Sequence, residues 1–435
     1  MRFGARGGVA VTLAAVATAG ACGGGNGNES GGPDAAGAPD VGATSSQMEA
    51  GSGPGPGSGS DATTSGSDGG GAPQEAGVGG GADAGTSSGD GGGTTGGSDA
   101  GYVPDAPGAD ANFGPATTWV YNLVSPTDFM TLSGFLAGTG SGDLTGITQD
   151  FYKVYGDDYD FIYLFAEVTG QADVSVIVRW DGTSGVGLPA MNDMSYGSPA
   201  RLKSVISFGT LLNGTVYEVG PTLHETLHHW SMYLDSSFGF DTASGHWGYG
   251  SANGLHGGFD SSSVVCRDNG QKPTGSPPAC PLTSSKRMNI RLAPFSPCCV
   301  ADIKPYSPIE LYLMGLVPAS QVQPLWVMDN ENYDGPVTSD AGTGNIVAMD
   351  YDVASFHVVT IDDIIAKEGM RPAATQTDFR GAFVLVTQTA ATSVQMERYA
   401  RWARRFSGEE VDPTTGVMSF PAATGGRATM TTRLK

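Results

Sequence analysis

Five of the chain's six histidines fall between residues 224 and 256. Two of them bracket the run His224-Glu225-Thr226-Leu227-His228. On a helix, a four-residue spacing puts both imidazoles on one face. Both can then coordinate one Zn²⁺ at about 2.0–2.1 Å. Glu225, one position round the helix, is placed to act as general base towards the water that such an ion activates. At this composition the pattern is expected by chance on the order of 0.002 times per chain, so coincidence explains it poorly.

A hydrolytic zinc needs a third protein ligand and one position left for water. His246, in Gly245-His246-Trp247, is the first choice, because neutral imidazole is the commonest metal ligand. Glu310 would complete a two-histidine, one-glutamate set, and His256 is the remaining candidate. The compact metzincin signature is absent, since Ser231 and Leu234 stand where it requires glycine and a third histidine. His229 points away from the ligand face and reads as a bystander. Tyr306 and Tyr312 are both candidates to stabilise an oxyanion. A bland alternative exists: Thr222-Leu223-His224-Glu225 also fits a capping box, with Glu225 serving only a backbone N–H. That alternative does not explain the histidines further along.

These residues must be held by a folded domain, expected over 113–435. Runs rich in valine, isoleucine and aromatics predict strands at 117–124, 159–168, 173–180, 202–208 and 382–387. Helices are expected at 144–155, 308–314 and 393–406. The histidine helix should start near Gly220-Pro221, where proline suits the first turn, and run to about Leu234. On 393–406, Tyr399, Trp402 and Phe406 share a face, and Arg398, Arg401 and Arg405 share another that reads as a solvated surface. Residues 236–300 are loop-rich. Strands, an active-site helix and then irregular chain make an α+β arrangement.

Taken together, His224-Glu225-x-x-His228-x-Trp230, the later His246-Trp247, and Tyr306-Ser307-Pro308-Ile309-Glu310-Leu311-Tyr312-Leu313-Met314-Gly315 resemble poorly characterised bacterial zincin-like surface proteins. The resemblance covers most of 113–435 and keeps the order of the motifs. It implies a zincin-like metallopeptidase domain, a mixed sheet with an active-site helix, that hydrolyses peptide or protein substrates with Zn²⁺. Met314-Gly315 would then correspond to a methionine turn beneath the metal; otherwise Leu313 and Met314 are plain core residues. The rival functions are a non-catalytic surface module with a structural metal, and a zinc hydrolase of some non-peptide substrate.

The remaining chain speaks to location. Arg2 and Arg6, followed by the short apolar run 9–19, read as an export signal over 1–22. Ala19-Gly20-Ala21-Cys22 resembles a lipobox, although alanine stands where leucine is preferred. Lipid on Cys22 would tether the protein to an outer membrane or cell surface; ordinary signal cleavage at the same alanines would make it secreted. Residues 23–112 are a Gly, Ser, Ala, Asp and Pro tract that cannot bury enough apolar surface to offset its ordering entropy, so a disordered linker with an end-to-end distance of about 50 Å is expected. Twelve of the chain's 44 acidic residues and none of its 22 basic ones fall there. The rest is acidic too, which argues against a nucleic-acid partner. Of five cysteines, Cys298 and Cys299 are adjacent and poorly placed to pair with each other. They are expected to form disulfides with Cys266 and Cys280, one each, in an oxidising compartment.

Overall fold

The computed structural model describes residues 115–139, 143–169, 174–210, 221–241, 245–293, 303–339, 346–411 and 416–435. The expected signal, linker and Cys22 lie outside them, as do Cys298 and Cys299. Chain order is β1 (Val120–Val124), α1 (Pro126–Leu136), α2 (Thr145–Tyr152), β2 (Phe161–Thr169), β3 (Val174–Ile177), β4 (Arg179–Trp180), β5 (Met191–Asn192) and β6 (Ser204–Thr210). Then come α3 (Thr222–Leu227), β7 (Val265–Cys266), β8 (Met288–Leu292), α4 (Pro308–Leu313), β9 (Leu325–Asp329), β10 (Asn332–Ser339), β11 (Ile346–Val353) and β12 (Ser355–Val359). The last elements are α5 (Ile361–Glu368), β13 (Asp378–Thr387), α6 (Ser393–Ser407), α7 (Phe420–Ala423) and β14 (Thr429–Thr431). The architecture is mixed α and β, in keeping with the α+β expectation.

The main sheet runs β1-β13-β2-β6-β3, with β14 paired to the start of β13. Its pairings are parallel except β3 with β6, which is antiparallel. Strand periodicity explains why both faces are covered. Phe161, Tyr163, Phe165, Ile206, Phe208, Phe383 and Leu385 pack into one core with α3, α4 and α6. The alternate residues Ile162, Leu164, Val205, Ala382, Val384 and Val386 pack on the other face with α1 and α2. The aromatic face of α6 lies as expected, with the Phe165 ring 4.8 Å from Trp402 and 5.0 Å from Tyr399. The arginines of α6 are used within the fold: Arg398 pairs with Glu167 at 3.0 Å, while Arg401 and Arg405 approach Glu410.

Three expectations need correction. The chain following the histidine helix is less irregular than expected: β10-β11-β8-β7 form an antiparallel sheet and β9 pairs with β12. The histidine helix ends at Leu227 rather than Leu234, because the amides of His229 and Trp230 turn to carbonyls three residues back. Finally, Cys266 is bonded to Cys280, at a Cα separation of 5.5 Å. The intervening segment folds back on itself through the Thr274–Ala279 bridge, which brings the two cysteines together locally. Among the described residues, no helix is long and apolar enough to cross a membrane.

Candidate metal centre

Helix α3 lies behind the main sheet, and all six of its residues are buried. Leu223 and Leu227 insert fully into the core. Three polar contacts fix the helix against its neighbours. Trp402 Nε1 donates to Thr222 Oγ1 at 2.7 Å, Tyr306 Oη donates to the Leu223 carbonyl at 3.0 Å, and Tyr163 Oη meets Thr226 Oγ1 at 3.0 Å. The helix is capped by Pro221 without a side-chain bond, so Thr222 is not the capping residue that the bland reading of Glu225 requires.

The second half of the site arrives on the loop after α3. Its segment around Tyr249–Ser251 pairs with β9: Ser251 N donates to Trp326 O, and Met328 N to Tyr249 O. From there the chain makes a tight reversal. Gly254 and Gly257 exchange backbone hydrogen bonds of 2.9 and 3.2 Å, leaving Leu255 and His256 as a two-residue tip. Gly257 has φ +87°, the left-handed conformation that glycine adopts without penalty.

This tip meets α3. His224 donates from Nδ1 to the Leu255 carbonyl at 2.7 Å, which leaves Nε2 with the lone pair. His256 donates from Nε2 to the His224 carbonyl at 3.0 Å, which leaves Nδ1 with the lone pair. Nδ1 of His256 is buried and has no hydrogen-bond partner among the described residues. Imidazole nitrogens of His224, His228 and His256 all lie within 4.8 Å of one another, an arrangement able to hold a metal ion. The rings of His228 and His256 stack with centroids 4.1 Å apart. His246 joins from the side, its Nε2 3.1 Å from His224 Nε2. The chain approaches closely there, since a Cβ on Gly245 would stand 3.0 Å from the His228 ring.

Burial keeps these rings neutral. It pushes His224 down to about 3, helped by the neighbouring charge of His246 and opposed by the Leu255 carbonyl. Burial likewise holds His228 and His256 well below the usual histidine range, with the other site histidines adding to it. Neutral imidazoles are the form that binds metal. Glu225 is 4% exposed, its Oε1 3.8 Å from His224 Nε2. Tyr233, whose hydroxyl donates to the His228 carbonyl, lies close enough to feel the Glu225 charge.

The structure thus brings together His224, Glu225, His228, His246 and His256. It takes Glu310 out of the ligand set. That carboxylate accepts from Trp247 Nε1 (3.0 Å), Leu255 N (3.1 Å), His256 N (2.9 Å) and Ser307 N (2.8 Å). Four donors fill its two oxygens, so no lone pair remains for a metal. Burial raises its pKa and these four bonds oppose the rise. Tyr306 and Tyr312 are also engaged, the first with Leu223 and the second accepting from the Arg371 amide at 3.0 Å; both are buried. Met314 packs in the core with Leu223 and Leu227. His229 is a core histidine, bonded to Ser204 Oγ at 3.0 Å and enclosed by Phe161, Trp180 and Trp230.

By sequence His256 stands behind His246 and Glu310 as third ligand, and nothing there points to Tyr233 or to the role of Glu310. The glycines at 254 and 257 were the available signal, since a pair of glycines around two residues marks a tight reversal. Comparison of the chain with protein-family models, with curated proteins and with solved structures gives no match.

Proposed function

We propose that this protein is an exported zinc-dependent hydrolase, in our reading a peptidase of the zincin-like kind, with His224, His228 and His256 as its metal ligands and Glu225 as its general base. The observation that carries the reading is the cluster of three mutually close histidines, one of which keeps a buried, unpartnered Nδ1. A buried polar atom without a partner costs free energy, and a metal ion would satisfy it. The donor set suits zinc, which takes neutral imidazole readily.

Zinc bound there would supply Lewis acidity for a carbonyl and lower the pKa of water. The chain does the rest. Carbonyls of Leu255 and His224 fix the tautomers of His224 and His256 and hold both rings. Glu225, nearly excluded from solvent beside His224, takes a proton from the attacking water and passes it to the leaving group. The mixed sheet with the motif helix following a strand supports the zincin-like reading. Surface attachment through Cys22, and export itself, rest on the leader sequence.

The nearness of His246 favours a second reading, in which four histidines close the site and the metal is structural. Zinc analysis of the purified chain, followed by digestion of casein and a peptide library with and without chelator, tests the proposal. Chelator-sensitive hydrolysis that Glu225→Gln abolishes supports the peptidase. One zinc per chain with no hydrolysis supports the structural site instead, and hydrolysis of non-peptide esters alone would shift the substrate class.

A further inference from the structure

We propose that Glu310 is a positioning residue of the metal centre: it clamps the Leu255–His256 tip from behind, and so sets the two histidines that the tip orients. This rests on the metal-centre reading above. Glu310 is fully buried. Its carboxylate binds the two consecutive amides of the tip, Leu255 N and His256 N. It also holds the indole of Trp247, next to His246, and the Ser307 amide at the start of its own helix.

The tip cannot be held by its own hairpin. Gly254 and Gly257 pair with each other, which leaves the amides of the two residues between them facing inward. Each would be buried without an acceptor if Glu310 were absent. Fit is equally close, because a Cβ at Gly254 would stand 2.3 Å from the Glu310 carboxyl. A buried carboxylate is costly unless its oxygens are fully used, and here charge-assisted bonds use all of them. Apolar packing alone would be served by leucine.

Two further polar groups of the tip bind the metal-centre helix, and a third holds the loop beside it. Leu255 O receives His224 Nδ1–H, His256 Nε2–H reaches His224 O, and His256 O receives Trp247 N. A shift of the tip therefore turns His256 and loosens His224 together. Glu310 does not touch the metal in this scheme. It acts through His256 first, and through the Leu255 carbonyl second.

The test is a zinc-competition titration of the full chain as wild type, Glu310→Gln, His256→Ala and the double variant. Melting of each in excess chelator is recorded alongside. The isosteric glutamine keeps the packing but can accept only part of the donor set. Glu310→Gln should weaken zinc binding by about 10–100-fold, the size expected for a partner that orients a ligand. In the His256→Ala background the same change should cost less than about threefold, since its main route has gone. Equal losses in both backgrounds, or none in either, would overturn the positioning role. A wild-type chain that binds no zinc would instead overturn the metal-centre reading. Should Glu310→Gln fail to fold, Trp247→Phe removes one of the four donors; a several-fold loss confined to the His256 background supports the proposal, and an unchanged affinity refutes it.

Discussion

His256 and His224 are bound to each other crosswise: the ring of His256 donates to the backbone carbonyl of His224 at 3.0 Å, while the ring of His224 donates to the carbonyl of Leu255, the residue before His256. Each bond settles which nitrogen of its ring carries the proton, and leaves the other nitrogen of each ring with a lone pair. Two segments more than thirty residues apart thereby fix each other's donors before any ion arrives.

The first consequence concerns ligand identity. His256→Ala should reduce bound zinc well below one per chain after dialysis, whereas His246→Ala should retain it. Atomic absorption against protein concentration reads both. Retention by His256→Ala with loss in His246→Ala would return His246 to the position of third ligand.

Glu225→Gln separates base from ligand. The carboxylate lies beside His224 Nε2 at 3.8 Å. The amide variant should keep its zinc and lose hydrolysis by about 10²–10⁴-fold, the usual contribution of a general base. If zinc disappears together with activity, Glu225 is part of the coordination sphere.

Acid should destabilise the metal-free protein. Burial, the largest cause in each case, lowers His224 to about 3 and holds His228, His229 and His256 well below the ordinary range. In the unfolded chain they titrate near 6.5. Between those limits the unfolded state binds more protons, so stability is full above about pH 6.5 and falls as pH drops towards 3. Each such histidine contributes at most about 1.4 kcal/mol per pH unit. Urea midpoints in chelator at pH 7.5, 6 and 5 should decrease in that order; a flat series would mean that these rings are hydrated.

The Cys266–Cys280 bond closes a loop with a sequence separation of 14. Loops of about this length are stabilised by about 3 kcal/mol when cross-linked. Replacing both cysteines by alanine should lower the melting temperature, with the loss confined to β7 and β8 in hydrogen exchange. Non-reducing peptide mapping should recover a 266–280 cross-link. A 266–298 or 266–299 peptide would contradict the structure.

Much of the main sheet was legible. The predicted 159–168, 202–208 and 382–387 strands correspond to β2, β6 and β13, because strands covered on both faces read as unbroken apolar and aromatic runs. Helix α6 was legible for the opposite reason: its buried and exposed faces alternate with the helical period. Helix α1 was missed despite Ser125 at its cap and Pro126 in its first turn. The antiparallel strands between 288 and 359 were missed as well, since a half-exposed strand carries a weaker signal.

By itself, the sequence determined the pair His224 and His228 with Glu225 between them, because four-residue spacing on a helix is a local matter. It also fixed the apolar face that buries that helix. Which further histidine joins the pair was decided only by tertiary structure. His246, His256 and Glu310 are separated from the motif by 18 to 82 residues, and spacing says nothing about folding across such distances. The Gly254–Gly257 reversal brings His256 to the site. Glu310, a plausible ligand by type, instead meets the amides of that reversal, and Trp247 and Ser307 take up the rest of its acceptor capacity.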